Sequence, residues 1–157
     1  MIGNDIIDLS LAKIESNWQR RGFLDKQYTA NEQQLILEAT DSFSLVWRFW
    51  SMKEAAYKVF IQQNEMRFFA PKNFACLLIS EKEGMVFYKD QIFYTSSTVN
   101  QNYIFTLASY EKLTKAYSKF VMPEFIDSMI KIKLEDLTTF SATEIEQKKS
   151  KNGAPFY

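Results

Sequence analysis

The chain has 157 residues, 46% hydrophobic and 16% aromatic, so it is long and apolar enough to bury a sizeable core in a single domain spanning residues 1–157. Its 19 basic and 19 acidic side chains balance, which excludes a general nucleic-acid or anionic-membrane binder, because such proteins need a basic surplus. Cys76 is the only cysteine and histidine is absent, so an internal disulfide, a thiolate metal site and imidazole chemistry are excluded as well.

The sequence contains no apolar run long enough to span a membrane. Met1 leads directly into a strand-like segment rather than into a signal peptide. We therefore expect a cytoplasmic protein that binds neither nucleic acid nor membranes, in a compartment where a lone cysteine stays reduced. Carboxylates, lysines and a metal ion would have to carry out any chemistry.

The N-terminal segment predicts a strand followed directly by a helix. Residues 2–7 read as a short buried strand. A helix over Leu9–Arg21 should follow, with Asp8 placed to cap it and Gly22 placed to end it.

Two further helices are expected before residue 63. The sequence Thr29-Ala30-Asn31-Glu32 has the form of a capping box, which predicts that a second helix begins after Thr29. A third helix is expected over Phe43–Gln62.

From Phe74 onward, the pattern changes from helical to extended. Four segments rich in β-branched and aromatic residues are predicted as strands: Phe74–Ser80, Met85–Tyr88, Gln91–Val99 and Tyr103–Tyr110. Turn-forming Glu-Gly, Lys-Asp and Asn-Gln-Asn sequences separate them, which is typical of an antiparallel meander.

Helices are again predicted towards the end of the sequence, over Glu111–Phe120, after Pro123, and over Ile145–Lys151 behind a second capping box. Neither a repeat nor a linker divides the chain. The expected fold class is α+β, with three N-terminal helices packed on an antiparallel sheet that includes the first strand and the meander.

The third predicted helix carries an unusual pair of charges. At 100° per residue, its core-facing arc holds Leu45, Phe49, Met52, Ala56, Val59 and Phe60. Glu54 and Lys58 lie opposite this arc, one turn apart, a spacing that also suits an ordinary exposed ion pair. Because Trp47, Trp50 and Ile61 flank Glu54, this face is not plainly polar, and something else should cover it.

Lys53 and Asp5 are both predicted at apolar positions. Lys53 falls inside the core-facing arc, which leaves two alternatives: its stem lies on the core and its ammonium reaches water, or the ammonium is aimed at a ligand. Asp5 lies in the middle of the first strand, where an unpaired buried carboxylate is costly or must take a proton, and a metal ion would remove that cost.

The remaining acidic residues of interest have structural explanations. Asp8 points to the opposite face of the strand from Asp5, and an N-cap role accounts for it. Glu32 is accounted for by its capping box. Asp5 and Glu54 alone provide two carboxylates, and so thin a ligand set suits Mg²⁺, which keeps several waters and is completed by substrate phosphates.

These residues resemble the motifs of the 4′-phosphopantetheinyl transferases, and within them the holo-acyl-carrier-protein synthase type. The stretch 3–9 is similar to the family's opening G-x-D-[IV]-x-[DE] segment, and Trp50–Lys58 matches its W-x-x-K-E-A-x-x-K signature in full. The stretch 28–32 resembles the F-[TS]-x-x-E element, and 151–157 resembles the G-x-P segment. The helical signature is the specific one, since each of the others alone would be weak.

The resemblance implies an enzyme that moves the 4′-phosphopantetheine arm of coenzyme A onto a serine of an acyl or peptidyl carrier protein, as in fatty acid biosynthesis. It implies Asp5 and Glu54 as ligands of Mg²⁺. It implies a catalytic set of Glu54, Lys58 and Glu32, and a coenzyme-binding set of Lys58, Lys53, Gly153 and Pro155.

The sequence also departs from the family pattern. That pattern continues past the G-x-P segment into a strand with a S-[ILV]-[ST]-H sequence that contacts the phosphates of the coenzyme, whereas this sequence stops at Tyr157 and contains no histidine. Either the chain is truncated at its C-terminus, or it has lost part of the coenzyme site.

Three functions therefore stay open: an active transferase, a non-catalytic module that binds coenzyme A or a carrier protein, and a purely structural role in which Glu54 and Lys58 form only an ion pair. Which carrier protein is served stays open as well. So does the choice between a monomer and a trimer.

Overall fold

The structure is a computed structural model that describes residues 1–64 and 69–112, all of which belong to one compact unit. Its elements are β1 Ile2–Asp8, α1 Leu9–Glu15, α2 Phe23–Gln27, α3 Ala30–Glu38, α4 Ser42–Ile61, a 3₁₀ turn Pro71–Asn73, β2 Ala75–Leu78, β3 Glu83–Tyr88, β4 Gln91–Val99 and β5 Tyr103–Ser109. The helices predicted from Glu111 onward fall almost entirely outside the described residues, as do Gly153 and Pro155. The prediction of a single domain over 1–157 therefore stays a prediction.

The five strands form one sheet in the order β1-β5-β4-β3-β2, and all neighbours are antiparallel. The first strand closes the meander by pairing with its last strand, and Asp5 stands opposite Thr106. The predicted α+β class, with a sheet that joins the first strand to the meander, is thus confirmed.

One helix, rather than three, covers the sheet. Helix α4 contacts all five strands, while α3 packs on α4, and α1 contacts β1 and β5 at the edge. The apolar arc of α4 is broader than predicted, because Trp47 and Ala55 are buried together with Phe49, Met52 and Val59.

No helix in the described part of the chain is both long enough and apolar enough to cross a membrane.

The first predicted helix is wrong in its extent. Helix α1 ends at Glu15, because Ser16 has an extended backbone (φ −122°, ψ 115°), and a separate short helix, α2, begins at Phe23. Gly22 has a left-handed backbone (φ 79°) and forms the N-cap of α2 rather than the end of α1. The intervening Trp18 is partly buried against the core, a tertiary contact that local periodicity does not reveal.

The predicted Glu83-Gly84 turn is also wrong, because both residues lie inside β3. A Cβ on Gly84 would lie 2.6 Å from Cε of Met52, so this glycine permits the close packing of α4 on the sheet rather than a turn. The chain reverses earlier, where the Ser80 hydroxyl accepts hydrogen bonds from the backbone N–H groups of Lys82 and Glu83.

The other two predicted turns are confirmed. Lys89 adopts a positive φ of 51° between β3 and β4. Between β4 and β5, the Asn100 side chain accepts hydrogen bonds from the N–H groups of Asn102 and Tyr103, both at 2.9 Å.

Gly3 sets how closely β1 approaches α4. A Cβ at this position would lie 2.1 Å from the backbone oxygen of Ala55 and 2.9 Å from Cγ2 of Val59. No real side chain fits at such distances, so strand and helix are in direct backbone contact. Asp5 and Ile7 follow on the same face of β1.

Gly3→Ala is expected to lower the free energy of unfolding by about 2 kcal/mol, because the new methyl group must push β1 away from the backbone of α4. Urea denaturation measures the change. Asn4→Ala is the matched control, since the side chain of Asn4 is exposed, and it should change stability by less than about 0.5 kcal/mol. Equal stabilities for Gly3→Ala and the wild type would show that the contact is not tight.

Candidate active site between strand β1 and helix α4

The contact between β1 and α4 brings together charged residues that are far apart in the sequence. Nζ of Lys58 lies 3.0 Å from Oδ1 of Asp5 and donates a second hydrogen bond of 2.9 Å to the carbonyl oxygen of Asn4. The Asp5 side chain is 13% exposed, whereas that of Lys58 is 42% exposed. Two of the three ammonium hydrogens are therefore used on the strand, and the side chain still reaches solvent.

The second oxygen of Asp5 has no partner among residues 1–64 and 69–112. Oδ2 is buried and accepts no hydrogen bond from any described residue. A buried carboxylate oxygen normally has at least one donor, because an unmade bond leaves its desolvation uncompensated. This oxygen is thus a position at which a cation would be favourable.

Glu54 lies on α4 within electrostatic reach of both residues. Its pKa is raised above the ordinary value for a glutamate, first because partial burial penalises the charge and second because Asp5 is negative, while Lys58 acts in the opposite direction. The exposed Glu54–Lys58 ion pair that the spacing allowed is not formed in the described part of the chain, because Lys58 bonds Asp5 instead.

Aromatic rings pack along α4 on both sides of Glu54, whose own side chain is half-buried. Phe69 lies against Trp50 at 5.9 Å and against Tyr57 at 4.7 Å between ring centroids. Trp47 is buried against Phe23 and Phe43. The two Phe69 contacts join Trp50 and Tyr57, which lie one turn before and one turn after Glu54 on α4.

Asp5 and Glu54 form a thin but suitable ligand set for Mg²⁺. Across residues 1–64 and 69–112, no group of three or more His, Cys, Asp or Glu side chains could hold a metal ion. Mg²⁺ is held in many enzymes by one or two carboxylates together with waters and substrate phosphates. The Oδ2 atom of Asp5, unpartnered among the described residues, and the carboxylate of Glu54 fit this mode of Mg²⁺ binding, because both offer hard oxygen donors.

Glu32 and Lys53, the other two predicted site residues in the described part of the chain, bond each other instead of joining this cluster. Both are buried, and Nζ of Lys53 lies 2.9 Å from the Glu32 carboxylate. The Lys53 ammonium therefore does not reach water, so the first of the two alternatives for this residue is wrong. Glu32 makes both bonds of the predicted capping box with Thr29, and Asp8 caps α1 as predicted.

Sequence reasoning missed two contributors to the site. The carbonyl oxygen of Asn4 orients Lys58, but a backbone acceptor leaves no trace in residue type. Gly3 brings the strand onto the helix, and a glycine inside a strand is a recognised signal of close backbone approach that could have identified it.

Comparison with known proteins agrees with this geometry. A model of the 4′-phosphopantetheinyl transferase superfamily matches residues 1–111. No curated protein matches the chain.

Solved structures with a similar fold include the following bacterial holo-(acyl-carrier-protein) synthases. The Helicobacter pylori enzyme in complex with coenzyme A has 16% identity and a TM-score of 0.53, with 69% of this chain and 97% of that chain covered. The Bacillus anthracis enzyme in complex with coenzyme A (3′,5′-ADP) has 14% identity and a TM-score of 0.52, with coverages of 68% and 91%. The Neisseria meningitidis enzyme has 15% identity and a TM-score of 0.52, with coverages of 68% and 94%. At these identities the likeness shows a shared fold.

Glu54→Gln is expected to stabilise the metal-free protein at pH 7 by about 0.5 kcal/mol, a value kept small because the side chain is partly exposed. A raised pKa in the folded state means that folding favours the protonated form. Glutamine mimics that form, so its advantage should be full at pH 7 and should vanish below about pH 4, where the glutamate of the unfolded chain is also protonated.

Thermal unfolding in a chelator at several pH values measures this difference. The exposed Glu15→Gln is the matched control and should show no such pH-dependent gain. A gain for Glu54→Gln that grows towards acid pH would contradict the assigned direction of the pKa.

Proposed function

Since the chain belongs to the 4′-phosphopantetheinyl transferase superfamily, we propose that it is a Mg²⁺-dependent enzyme that transfers the 4′-phosphopantetheine arm of coenzyme A to a serine of an acyl or peptidyl carrier protein. The reaction converts the apo carrier into its holo form. It needs one site at which a diphosphate, a metal ion and the hydroxyl group of a partner can meet.

The observation that carries the proposal is the convergence of Asp5, Glu54 and Lys58, with one buried oxygen of Asp5 left unpartnered. Two carboxylates without enough cationic partners favour a divalent cation. A partly exposed ammonium beside them favours an anionic group of a ligand. A metal-bound diphosphate satisfies both requirements at once, whereas an ordinary surface ion pair requires neither.

In the proposed reaction, the serine oxygen of the carrier attacks the β-phosphorus of coenzyme A. A new oxygen–phosphorus bond forms, the bond to the bridging oxygen of the diphosphate breaks, and adenosine 3′,5′-bisphosphate leaves with the electron pair. The nucleophile belongs to the partner. The chain therefore needs no serine–histidine or cysteine–histidine pair of its own.

Each of the three residues has a role in this reaction. Asp5 and Glu54 would hold Mg²⁺, which when bound polarises the phosphoryl oxygens. The Lys58 ammonium offsets the negative charge that develops on the leaving group, from a position fixed by Asp5 and the carbonyl of Asn4. Glu54 would accept the serine proton, since its carboxylate lies at the proposed metal site where the hydroxyl group arrives.

The coenzyme-binding roles of Gly153 and Pro155 belong to the proposal through their resemblance to the G-x-P segment. The carrier protein follows from the proposed reaction, and a cytoplasmic location fits a protein that acts on carrier domains and coenzyme A.

Lys53 and Glu32 are left out of the reacting groups. The Lys53 ammonium makes all its hydrogen bonds inside the protein, and Glu32 is one of its partners.

Transfer of a fluorescent pantetheine arm to apo acyl carrier and apo peptidyl carrier proteins tests the proposal. Glu54→Ala and Asp5→Asn should each lower kcat/KM by about 100-fold or more, because each removes a metal ligand. Lys58→Met should lower kcat by a similar factor, because it removes charge stabilisation in the transition state. The exposed Lys72→Met is the control and should keep full activity.

Full transfer by Glu54→Ala would defeat the assignment. Calorimetric binding of coenzyme A without transfer to any carrier would instead identify a non-catalytic binding module. A melting temperature that responds to neither Mg²⁺ nor coenzyme A would identify a structural role, because a ligand of the folded state alone must raise it.

A further inference from the structure

Lys53 is a fully buried lysine whose bonding capacity is used up inside the protein. Nζ lies 2.9 Å from Oε1 and 2.9 Å from Oε2 of Glu32, and it donates to the backbone oxygens of Pro71 at 3.0 Å and Phe74 at 2.5 Å. The Tyr28 ring lies under the ammonium at 5.5 Å from its centroid. An ammonium has three hydrogens, so none is left for a ligand.

The Glu32 carboxylate is equally well satisfied. Besides Lys53, it accepts hydrogen bonds of 2.7 Å from the backbone N–H of Thr29 and 2.7 Å from that of Cys76. Its two oxygens therefore meet donors from the start of α3, from α4 and from β2. The pair joins three elements and the 3₁₀ turn at one point inside the protein.

Stability alone does not explain such a pair. Removing two charges from water costs several kcal/mol per ion, and apolar residues of similar volume often serve the folded state as well or better. Directional bonds that link α4 to three other segments do provide a single rotational setting of α4, because an apolar side chain at residue 53 would tolerate small rotations of the helix.

The setting of α4 matters because Glu54 follows Lys53 directly in the chain. An α-helix is rigid, with a fixed angle of about 100° between successive side chains, so holding Lys53 also holds the direction of Glu54 and Lys58. A rotation of α4 by about 10° moves a group about 6 Å from the axis by about 1 Å. A misplacement of about 1 Å can cost about 100-fold in rate.

We propose that Lys53 and Glu32 form a positioning pair that holds α4 in the rotation at which Glu54 and Lys58 meet Asp5, and that neither residue touches coenzyme A or the carrier protein. This inference rests on the proposed function. It replaces the roles that the resemblance implied, a phosphate contact for Lys53 and a helper carboxylate for Glu32.

The test compares Lys53→Met, Glu32→Gln and the double variant with the wild type in the full chain. We expect kcat to fall by about 10- to 100-fold in each variant and the Mg²⁺ concentration for half-activation to rise. The double variant should be no slower than the slower single variant, because the two residues act as one unit. Met52→Leu is the matched control, since Met52 is the buried neighbour of Lys53, and it should keep wild-type kcat.

Dephospho-coenzyme A separates positioning from direct contact. A positioning pair leaves the ratio of kcat/KM for coenzyme A and dephospho-coenzyme A within about twofold of the wild-type ratio, while kcat falls for both. A changed ratio, or a raised KM for coenzyme A with unchanged kcat, would overturn the inference, because it would show that Lys53 meets a phosphate of the coenzyme.

Folding is followed in the same samples by the melting temperature and by amide hydrogen exchange along α4. Should Lys53→Met fail to fold because Glu32 is left charged and buried, the double variant, which lacks both charges, carries the test. Folded variants with wild-type kcat would overturn the inference and leave the proposed function intact. A wild-type chain that transfers no arm would overturn the proposed function and with it the inference.

Discussion

The direct contact of strand β1 with helix α4 is the constraint on which the rest of the described structure depends. It exists because residue 3 is a glycine, whose Cα lies against the carbonyl of Ala55 where no Cβ would fit. The contact packs the edge strand β1 against α4, the helix that covers the sheet. It also places Asp5, two residues further along the same face, beside Lys58, so one steric condition serves both the core and the candidate site.

Helix α4 bears two lysines that each meet a carboxylate from elsewhere in the chain, and the two pairs differ in one respect. Lys53 and Glu32 are fully buried and all their hydrogen-bonding groups are paired. Lys58 and Asp5 are partly exposed, and one buried oxygen of Asp5 lacks a partner in the described part of the chain, with Glu54 within electrostatic reach. The completed pair stabilises one arrangement of the elements, whereas the incomplete pair leaves capacity for a ligand.

Sequence patterns predicted the regular parts of this structure well. Helix α4 was placed within one residue at each end and β4 at its observed bounds, because a long apolar periodicity and a β-rich run between two turns are strong local signals. The extent of α1 and the Glu-Gly turn were wrong for the same reason. The backbone at Ser16 is set by the packing of Trp18 on the core, and that at Gly84 by the packing of Met52 on the sheet. Local sequence preference reveals neither contact.

Of the predicted site residues, Asp5, Glu54 and Lys58 lie together, whereas Glu32 and Lys53 bond each other, and the pairings could not be predicted. The sequence showed that Lys53 was out of place on an apolar arc, yet the bond that explains it spans 21 residues to Glu32. In the same way, spacing allowed an ion pair between Lys58 and Glu54 as one alternative, while the structure pairs Lys58 with Asp5, 53 residues away. Pairings of this kind depend on which elements meet in three dimensions, and residue spacing within one helix contains no such information.

The burial of Glu54 links stability to the proposed chemistry. A carboxylate that is partly buried and close to Asp5 is less stable than one in water, and its raised pKa expresses that cost. The same arrangement raises the affinity for a cation, because a bound metal would compensate both carboxylates. A fold selected for stability alone would place a neutral side chain at residue 54. A charged side chain at this position, one residue from the fully buried Lys53–Glu32 pair, is consistent with a site that gives up some stability for ligand binding.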